Sequence, residues 1–511
     1  MFYKESVVGE PLTKSRRWMA LGVLCLSLLL VVVDNTIVNV ALPTLNRDLG
    51  AGTTDLQWIV DAYTLVFAAL LLTMGHLGDR FGRRRALQVG LVLFALTSGL
   101  AALSTTSGQL IGARALMGIG AALIFPATLA ILVNVFTDAK ERAAAIGIWT
   151  GMVGVAVAIG PVVGGFLLEH FAWGSIFVVN IPVVVIALVL GAVLLPESRD
   201  PKVGSMDYIG LVLSAGGVGL IVWAIIEAPQ RGWLSTGIAA ALVGGAALLM
   251  VFVVVERRLL HPMLDVRLFK NARFSAASLS ITTAFFALFG FIFLITQFLQ
   301  FVQGYSPLQA GLRTLPFAVA TGVMSPLGIV LMHRFGSKVI VTLGLVVMAA
   351  GFVIAATISV DSPYVGVVVL SMVTIAAGLG LATSPATESI MGALPPEQAG
   401  AGAAVNDTTR ELGGTLGVAV VGSVFLSVYA SKITDSYRSL GLPNQFEPIV
   451  AESLGGGLQV AARLPVSQGE QLTTIVQSAF VDGLSRGSVV AAGVVAVGAV
   501  AAAIFVPARA R

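Results

Sequence analysis

Gly75-His76-Leu77-Gly78-Asp79-Arg80-Phe81-Gly82-Arg83-Arg84-Arg85 joins two apolar runs, 55–75 and 86–105, with only residues 76–85 between them. Each run is long enough to cross a bilayer as a helix, for which about 20 apolar residues suffice. So short a connection makes the two helices antiparallel neighbours, and it needs glycine where the chain turns with positive φ. Its four arginines belong at the lipid surface, on the side that membrane proteins keep in the cytoplasm. Asp79 has two readings: a stabilising charge at a helix amino terminus, or an ion partner for an arginine.

The same pattern extends in both directions. Fourteen apolar segments of spanning length lie at 18–43, 55–75, 86–105, 109–134, 142–167, 175–195, 207–227, 235–255, 274–300, 309–332, 339–359, 364–391, 400–429 and 487–507. Of the 511 residues 57% are hydrophobic and 11% charged, with a mean hydropathy of +0.95. Soluble domains carry about 25% charged residues, so the chain is an all-α integral membrane protein. With the amino terminus inside, 21 of the 30 Lys and Arg fall in cytoplasmic segments and 7 outside, which fixes the orientation with both termini cytoplasmic. The net charge of +4 is therefore a matter of topology and implies no nucleic-acid partner. The basic first 17 residues precede a run too long for a signal-peptide core, and no cleavage site follows, so the first span is retained.

Other chemistry is excluded by what the residues lack. The single cysteine, Cys25, allows neither an intrachain disulfide nor a cysteine metal site, and His76, His170, His261 and His333 lie far apart without ligand spacing. No lysine follows a glycine, so there is no Walker A loop. No soluble segment is large enough for an enzyme domain, and no metal or cofactor is expected.

A faint repeat organises the spans. Arg80-Phe81-Gly82 recurs as Arg334-Phe335-Gly336, and Pro126-Ala127-Thr128 as Pro385-Ala386-Thr387. Both pairs match equivalent spans if two six-helix bundles, 18–195 and 274–507, are separated by a linker, 196–273, carrying two additional spans. Repeated halves with a site between them are a transporter architecture. Tails at 1–17 and 508–511 flank them, and a hydrophilic stretch, 430–486, with Gly455-Gly456-Gly457, is expected to cap the outer face.

Within this apolar chain the ionisable residues stand out. Asp34 lies in the first span, within Asp34-Asn35-Thr36-Ile37-Val38-Asn39-Val40-Ala41-Leu42-Pro43. Charge at such depth costs roughly 3 kcal/mol on insertion scales and marks ion pathways or proton relays. At 1.5 Å per residue, Asp34 lies about 13 Å inside the outer end of its span, and Asp61 and Arg114 roughly 8–9 Å inside theirs. All three are predicted to share one polar pocket in the outer half of the membrane. Arg114 compensates one carboxylate and leaves the other free to take up and release a proton; a static network tying spans one, two and four together is the alternative. Replacing Asp34 by Asn is then expected to abolish proton coupling and leave the protein folded. In the thirteenth span Asp407 and Glu411 share a helix face, with Arg410 between them as a local partner for Asp407. Glu388 is expected to snorkel or pair with Arg410. Asn35 and Asn39 are candidates for substrate contact or for interhelical packing. Gly160-Pro161 and Gly164-Gly165 make a hinge or a tight helix contact in span five. Trp58, Tyr63, Trp149, Trp173 and Trp223 offer aromatic faces to lipophilic cations or anchor at the interface.

The string Gly-x-Leu-x-Asp-Arg-x-Gly-Arg-Arg at Gly75–Arg84 resembles the cytoplasmic signature of the major facilitator superfamily. Asp34 to Pro43 resembles the first-span motif of its fourteen-span drug/proton antiporter branch. Arg114-Ala115-Leu116-Met117-Gly118-Ile119-Gly120 and Gly147 with Gly160-Pro161-Val162-Val163-Gly164-Gly165 resemble the fourth-span and fifth-span motifs, with Ala156 where a glycine is common. The resemblance implies two six-helix bundles plus an inserted pair, in the plasma membrane of a bacterium. Gly75, Asp79, Arg80, Gly82 and Arg83 would form a cytoplasmic gate that latches in the outward-facing state; His333 and Ser337 stand at the matching positions of the second half, which puts a second latch in doubt. It further implies proton-driven export of lipophilic, cationic drugs or dyes by alternating access, with Asp34, Asp61 and Arg114 in coupling and Asp407, Glu411, Asn35 and Asn39 in binding. Substrate would enter from the cytoplasm or inner leaflet and leave when protons arrive from outside. Partners would be small molecules, protons and lipids, the protein a monomer. Export of one endogenous metabolite, lipid, siderophore or antibiotic is the alternative on the same fold, and a non-transporting sensor or scaffold lies outside it.

Overall fold

In the computed structural model residues 13–199, 206–259, 262–394, 399–437 and 442–506 are described; residues 1–12, the tail 508–511 and His261 lie outside them. Among the described residues fourteen helices are long and apolar enough to span a membrane, numbered here α1 (Lys14–Leu49), α2 (Thr53–Phe81), α3 (Arg83–Ala102), α4 (Ser107–Val135), α5 (Ala139–His170), α6 (Ser175–Leu194), α7 (Tyr208–Arg231), α8 (Thr236–Glu256), α9 (Ala272–Val302), α10 (Pro307–Phe335), α11 (Ser337–Ala355), α12 (Tyr364–Met391), α13 (Ala399–Tyr437) and α14 (Val466–Phe505). No strand occurs among the described residues. A backbone in hydrocarbon must bond within itself, and helices alone do this one segment at a time.

Local sequence sets the helix ends. Asp138 caps α5 by accepting from the amides of Lys140 and Glu141, and Ser306 opens α10 with a capping box to Gln309. The second-to-third turn is made by Gly82 at φ 120°, and its repeat by Gly336 at φ 88°. A Cβ at Gly82 would also press on the Glu197 carboxylate. Gly82→Ala is therefore expected to cost about 1–3 kcal/mol, measured as a fall in the thermal unfolding midpoint of the purified protein.

α1–α6 pack as one bundle and α9–α14 as the other. α1 starts and α14 ends on one side of the molecule, called here the terminal face. The opposite side, the cap face, carries short helices at Glu447–Glu452 and Leu454–Ala461. The stretch 430–486 is thus largely helical: α13 runs on to Tyr437 and α14 begins at Val466, well before residue 487. Hydropathy marks only the part of a helix that crosses lipid, so these aqueous extensions escape it. Ser453 bonds to Asn46, and the Glu452 carbonyl accepts from Thr53, which seats the cap on the turn between α1 and α2.

α7 and α8 pack closely through Gly217 and Gly245, each approaching the other's carbonyl. α7 also docks on both bundles. Gln230 and Glu227 bond to Thr54 and Trp58 of α2; Ser423 of α13 donates to the Ile225 carbonyl, and Trp233, just past α7, donates to Ser427. The inserted pair therefore braces one edge of the bundle interface.

Candidate functional site

The interface between the bundles is closed towards the cap face. Gln57 of α2 donates to the carbonyls of Val418 and Ala419 on α13, and the Thr64 and Thr415 hydroxyls are hydrogen-bonded at 3.0 Å. Gln300 of α9 donates to the Val40 carbonyl of α1. At the other edge, Gly165 of α5 lies against the backbone of Pro307 and Leu308, and Gly311 of α10 lies against the Pro161 carbonyl. Towards the terminal face such contacts cease: a Cβ built at Gly147, Gly151 or Gly154 of α5, or at Gly322 of α10, meets nothing within 4 Å among the described residues. The molecule is closed at one face and parted at the other.

Asp34 and Arg114 come together inside the first bundle. Arg114 Nη1 donates to Asp34 Oδ2 at 2.5 Å and Nε to the Ile59 carbonyl at 3.1 Å; both side chains are 0% exposed. Asn180 of α6 donates to Asp34 Oδ1 at 2.9 Å and to Ser98 Oγ at 3.3 Å. The guanidinium also stacks 4.2 Å from the Tyr63 ring centroid. Five helices, α1, α2, α3, α4 and α6, meet at this pair. Asn180 and Ser98 were missed in the sequence, although a lone asparagine within an apolar run is a signal.

Asp61 does not join them, and the shared pocket of three ionisable groups is corrected accordingly. Ile59 and Tyr63, four residues apart, face Arg114; Asp61 is two residues from each and so points to the opposite side of α2. It shares its face with Gln57 and Thr64, the residues that contact α13. Its carboxylate is 0% exposed and has no ion partner among the described residues; the Thr64 hydroxyl, one turn on, is the polar group beside it. The free acid of the first bundle thus lies in the α2/α13 contact.

On α13 the sequence places Asp407, Arg410 and Glu411 on the wall of the parted side. Arg410 lies 3.8 Å from Asp407 and 4.8 Å from the Phe285 ring centroid of α9, so its ion partner here is Asp407 and not Glu388. Asp407 and Arg410 keep side-chain exposures of 18% and 32%. Glu411 makes no ion pair among the described residues, and its Oε2 has no hydrogen-bond partner. Its carbonyl accepts from Thr415, one turn nearer the cap face. Glu411 therefore sits just inside the Thr64–Thr415 seal, and Asp61 just beyond it. Phe285 and Phe289, half-buried and stacked along α9, add aromatic faces beside these acids, Phe289 lying against Gly414. They escaped the sequence reading because phenylalanines in a span resemble core.

Other candidates are placed differently. Asn35 and Asn39 are buried in α1; Asn39 Nδ2 donates to the Asn35 carbonyl, and Asn35 Oδ1 has no hydrogen-bond partner among the described residues. Trp58 bonds to Glu227, Trp149 to Thr128, Trp223 lies under Arg231, and Trp173 packs on Phe177. Gly160 and Gly164 give α1 its close approach to α5 at Thr36 and Ile37, and α5 continues unbroken through Pro161. At the terminal face Arg83 pairs with Asp79 at 2.7 Å, and Gly75 packs on Pro126. Arg80 lies over the Phe81 ring. Arg84 is held by Glu197 and the Leu195 carbonyl, and the Arg83 amide by the Ser198 carbonyl. The signature turn is thus clasped within its own bundle.

Known proteins share both sequence and architecture. The chain is 40% identical over 488 residues to the multidrug efflux pump LfrA of Mycolicibacterium smegmatis, covering 96% of each. It is 36% identical to the methyl viologen resistance protein SmvA of Salmonella typhimurium, covering 91% of this chain and 93% of that one. It is 33% identical to the tetracenomycin C resistance and export protein of Streptomyces glaucescens, covering 96% and 92%. Among solved structures, an inward-facing bacterial homologue of the human lysosomal transporter Spinster superposes with a TM-score of 0.65 at 17% identity, covering 97% and 99%. The family profile described as Major Facilitator Superfamily matches residues 24–418, from the first span through both repeats to the seal on α13. Two bundles, an inserted helix pair and this match agree: the chain belongs to the Major Facilitator Superfamily.

Proposed function

We propose that the protein is a proton-coupled exporter of lipophilic cations, working by alternating access with the terminal face in the cytoplasm. The distribution of lysine and arginine supports this orientation, and relatives named as multidrug efflux, methyl viologen resistance and tetracenomycin C export proteins support the cargo class. The observation that carries the coupling is Asp61, a buried acid without an ion partner among the described residues, inside the contact that must part for outward opening. Ionised, it makes that contact unfavourable by several kcal/mol, as for any buried unpaired charge. Protonated, it allows closure.

A cation held at Glu411 lies about seven residues, or ~10 Å, along α13 from the level of Asp61. At that separation and an effective dielectric of about 20, the two charges interact by ~1.7 kcal/mol. Bound cargo therefore favours release of the Asp61 proton, and the ionised acid then favours parting of α2 from α13. Outside, a new proton resets closure. Each inward proton contributes about 2.3 kcal/mol per 100 mV. The gradient alone drives the cycle, with no cofactor.

The test is substrate-induced proton release from proteoliposomes, screened with cationic, neutral and anionic compounds. Release with cations alone is expected. Glu411→Gln is expected to weaken cation transport about 5–150-fold, the range of a coupling of 1–3 kcal/mol. If cargo is a neutral or anionic metabolite, the same variant stays active, and the cation reading is lost.

A further inference from the structure

Arg313, near the cap-face end of α10, makes no ion pair among the described residues. Its guanidinium carbon lies 3.6 Å from the Tyr305 ring centroid and 5.3 Å from that of Tyr364, the first residue of α12. Nη1 donates to the Gln309 carbonyl, one turn back, and Nε has no hydrogen-bond partner among the described residues. The Tyr364 hydroxyl donates to the Arg313 carbonyl at 2.8 Å, and the two tyrosine rings meet edge to face. Aromatic faces thus fix this cation without neutralising it.

From Arg313 towards the terminal face, the outer surface of α10 is hollowed. A groove of about 650 Å³ is lined by Leu312, Pro316, Val319, Val323 and Met324 of α10 and by Val373 of α12. Leu312 and Met324 are twelve residues apart, so the groove runs for ~18 Å. One leaflet of a hydrocarbon core about 30 Å thick has nearly that depth. The walls are apolar and the groove opens outwards, with Val319 and Val323 65% and 58% exposed. Pro316, Ala320 and Met324 follow Arg313 by three, seven and eleven residues and share its side of the helix. The cation therefore stands at the cap-face end of the groove. Ala320, another lining residue, is nine residues beyond Gly311 and points opposite to it, so the groove is turned away from the α5 contact that Gly311 makes.

We propose that this groove binds an anionic phospholipid of the cap-face leaflet, its phosphate on Arg313 and an acyl chain along α10. A guanidinium matches phosphate by charge and by its planar fork of donors, and this one is already oriented by Tyr305, Tyr364 and Gln309. A lipophilic cation is repelled by the same charge, and a lipid without net charge leaves it unbalanced. In hydrocarbon a chain stays in place through close packing, which a groove of leaflet depth supplies. The site lies apart from Asp407 and Glu411 and is independent of the export reading.

Native mass spectrometry of the detergent-purified protein tests the site, with phosphatidylglycerol, phosphatidylcholine of the same chains, or soluble glycerol 3-phosphate added. One retained phosphatidylglycerol per chain is expected, with phosphatidylcholine held about tenfold more weakly, the worth of one charge-assisted hydrogen bond. Glycerol 3-phosphate is expected not to be retained. Arg313→Gln is expected to erase the preference between the two lipids, and Arg313→Lys to keep part of it. Val319→Trp, on a lipid-facing position, fills the groove and is expected to weaken phosphatidylglycerol binding several-fold. Thermal unfolding of each variant without added lipid establishes that it is folded. Equal retention of both lipids by the unaltered protein, or a preference that survives Arg313→Gln, overturns the phosphate site. Equal binding of glycerol 3-phosphate makes it an ion site and overturns the lipid. Unchanged binding by Val319→Trp overturns the groove as the seat of the chain.

Discussion

Asp61→Asn is expected to abolish uphill export while leaving the protein folded. Asparagine has the size of the protonated acid and carries no charge, so the α2/α13 contact closes without waiting for a proton. The variant loses the link between gradient and conformation, not the binding site on α13. Downhill exchange of a labelled cation across proteoliposomes should therefore persist, and substrate-induced proton release should vanish. Thermal unfolding in detergent should occur at or above the temperature of the unaltered protein, because no charge enters the buried contact on folding. Retained uphill efflux would remove Asp61 from coupling. The magnitude asked of this one group is modest: several kcal/mol of charge burial suffices to bias a transition whose two end states differ by a few.

Why the neighbours of Asp61 had to be found in three dimensions is a matter of helix geometry. Rise per residue gives the depth of a side chain, and depth alone set Asp34, Asp61 and Arg114 at similar levels. It gives no azimuth until a neighbour is known. Once Arg114 touches Ile59 and Tyr63, the two-residue offset sends Asp61 to the other face, and Gln57 and Thr64 show what that face meets. The fourteen spans and the glycine turn at Gly82 were legible because hydrophobic length and positive φ are local properties. The docking of α7 on both bundles was not, since Gln230, Glu227 and Ser423 look like ordinary polar residues until their partners are seen. The same holds for Asn180, whose value lies in reaching Asp34 from another helix.

Asp34→Asn is expected to act differently from the sequence-based expectation of a folded, uncoupled protein. The structure makes Asp34 the counter-charge of a fully buried arginine, so removing it strands Arg114 with one unpartnered guanidinium nitrogen already present. Breaking one side of a buried pair costs about 3–5 kcal/mol, enough to lower both the unfolding temperature and the amount of protein in the membrane. Arg114→Gln alone should be comparably harmful, because it leaves the carboxylate held only by Asn180. The double variant Asp34→Asn/Arg114→Gln removes both charges at once and should recover much of the lost stability, since a neutral pair needs no desolvated ions. A proton carrier would behave otherwise: neutralising it would spare the fold, and pairing it with loss of Arg114 would add damage. Thermal midpoints of the two single variants and the double variant therefore separate the roles. Strong positive coupling in the cycle makes Asp34–Arg114 the pin that holds α1, α2, α3, α4 and α6 as one moving body, against which Asp61 senses the opposite bundle. Additive losses would return Asp34 to the list of carriers and leave the rigidity of that body to packing alone.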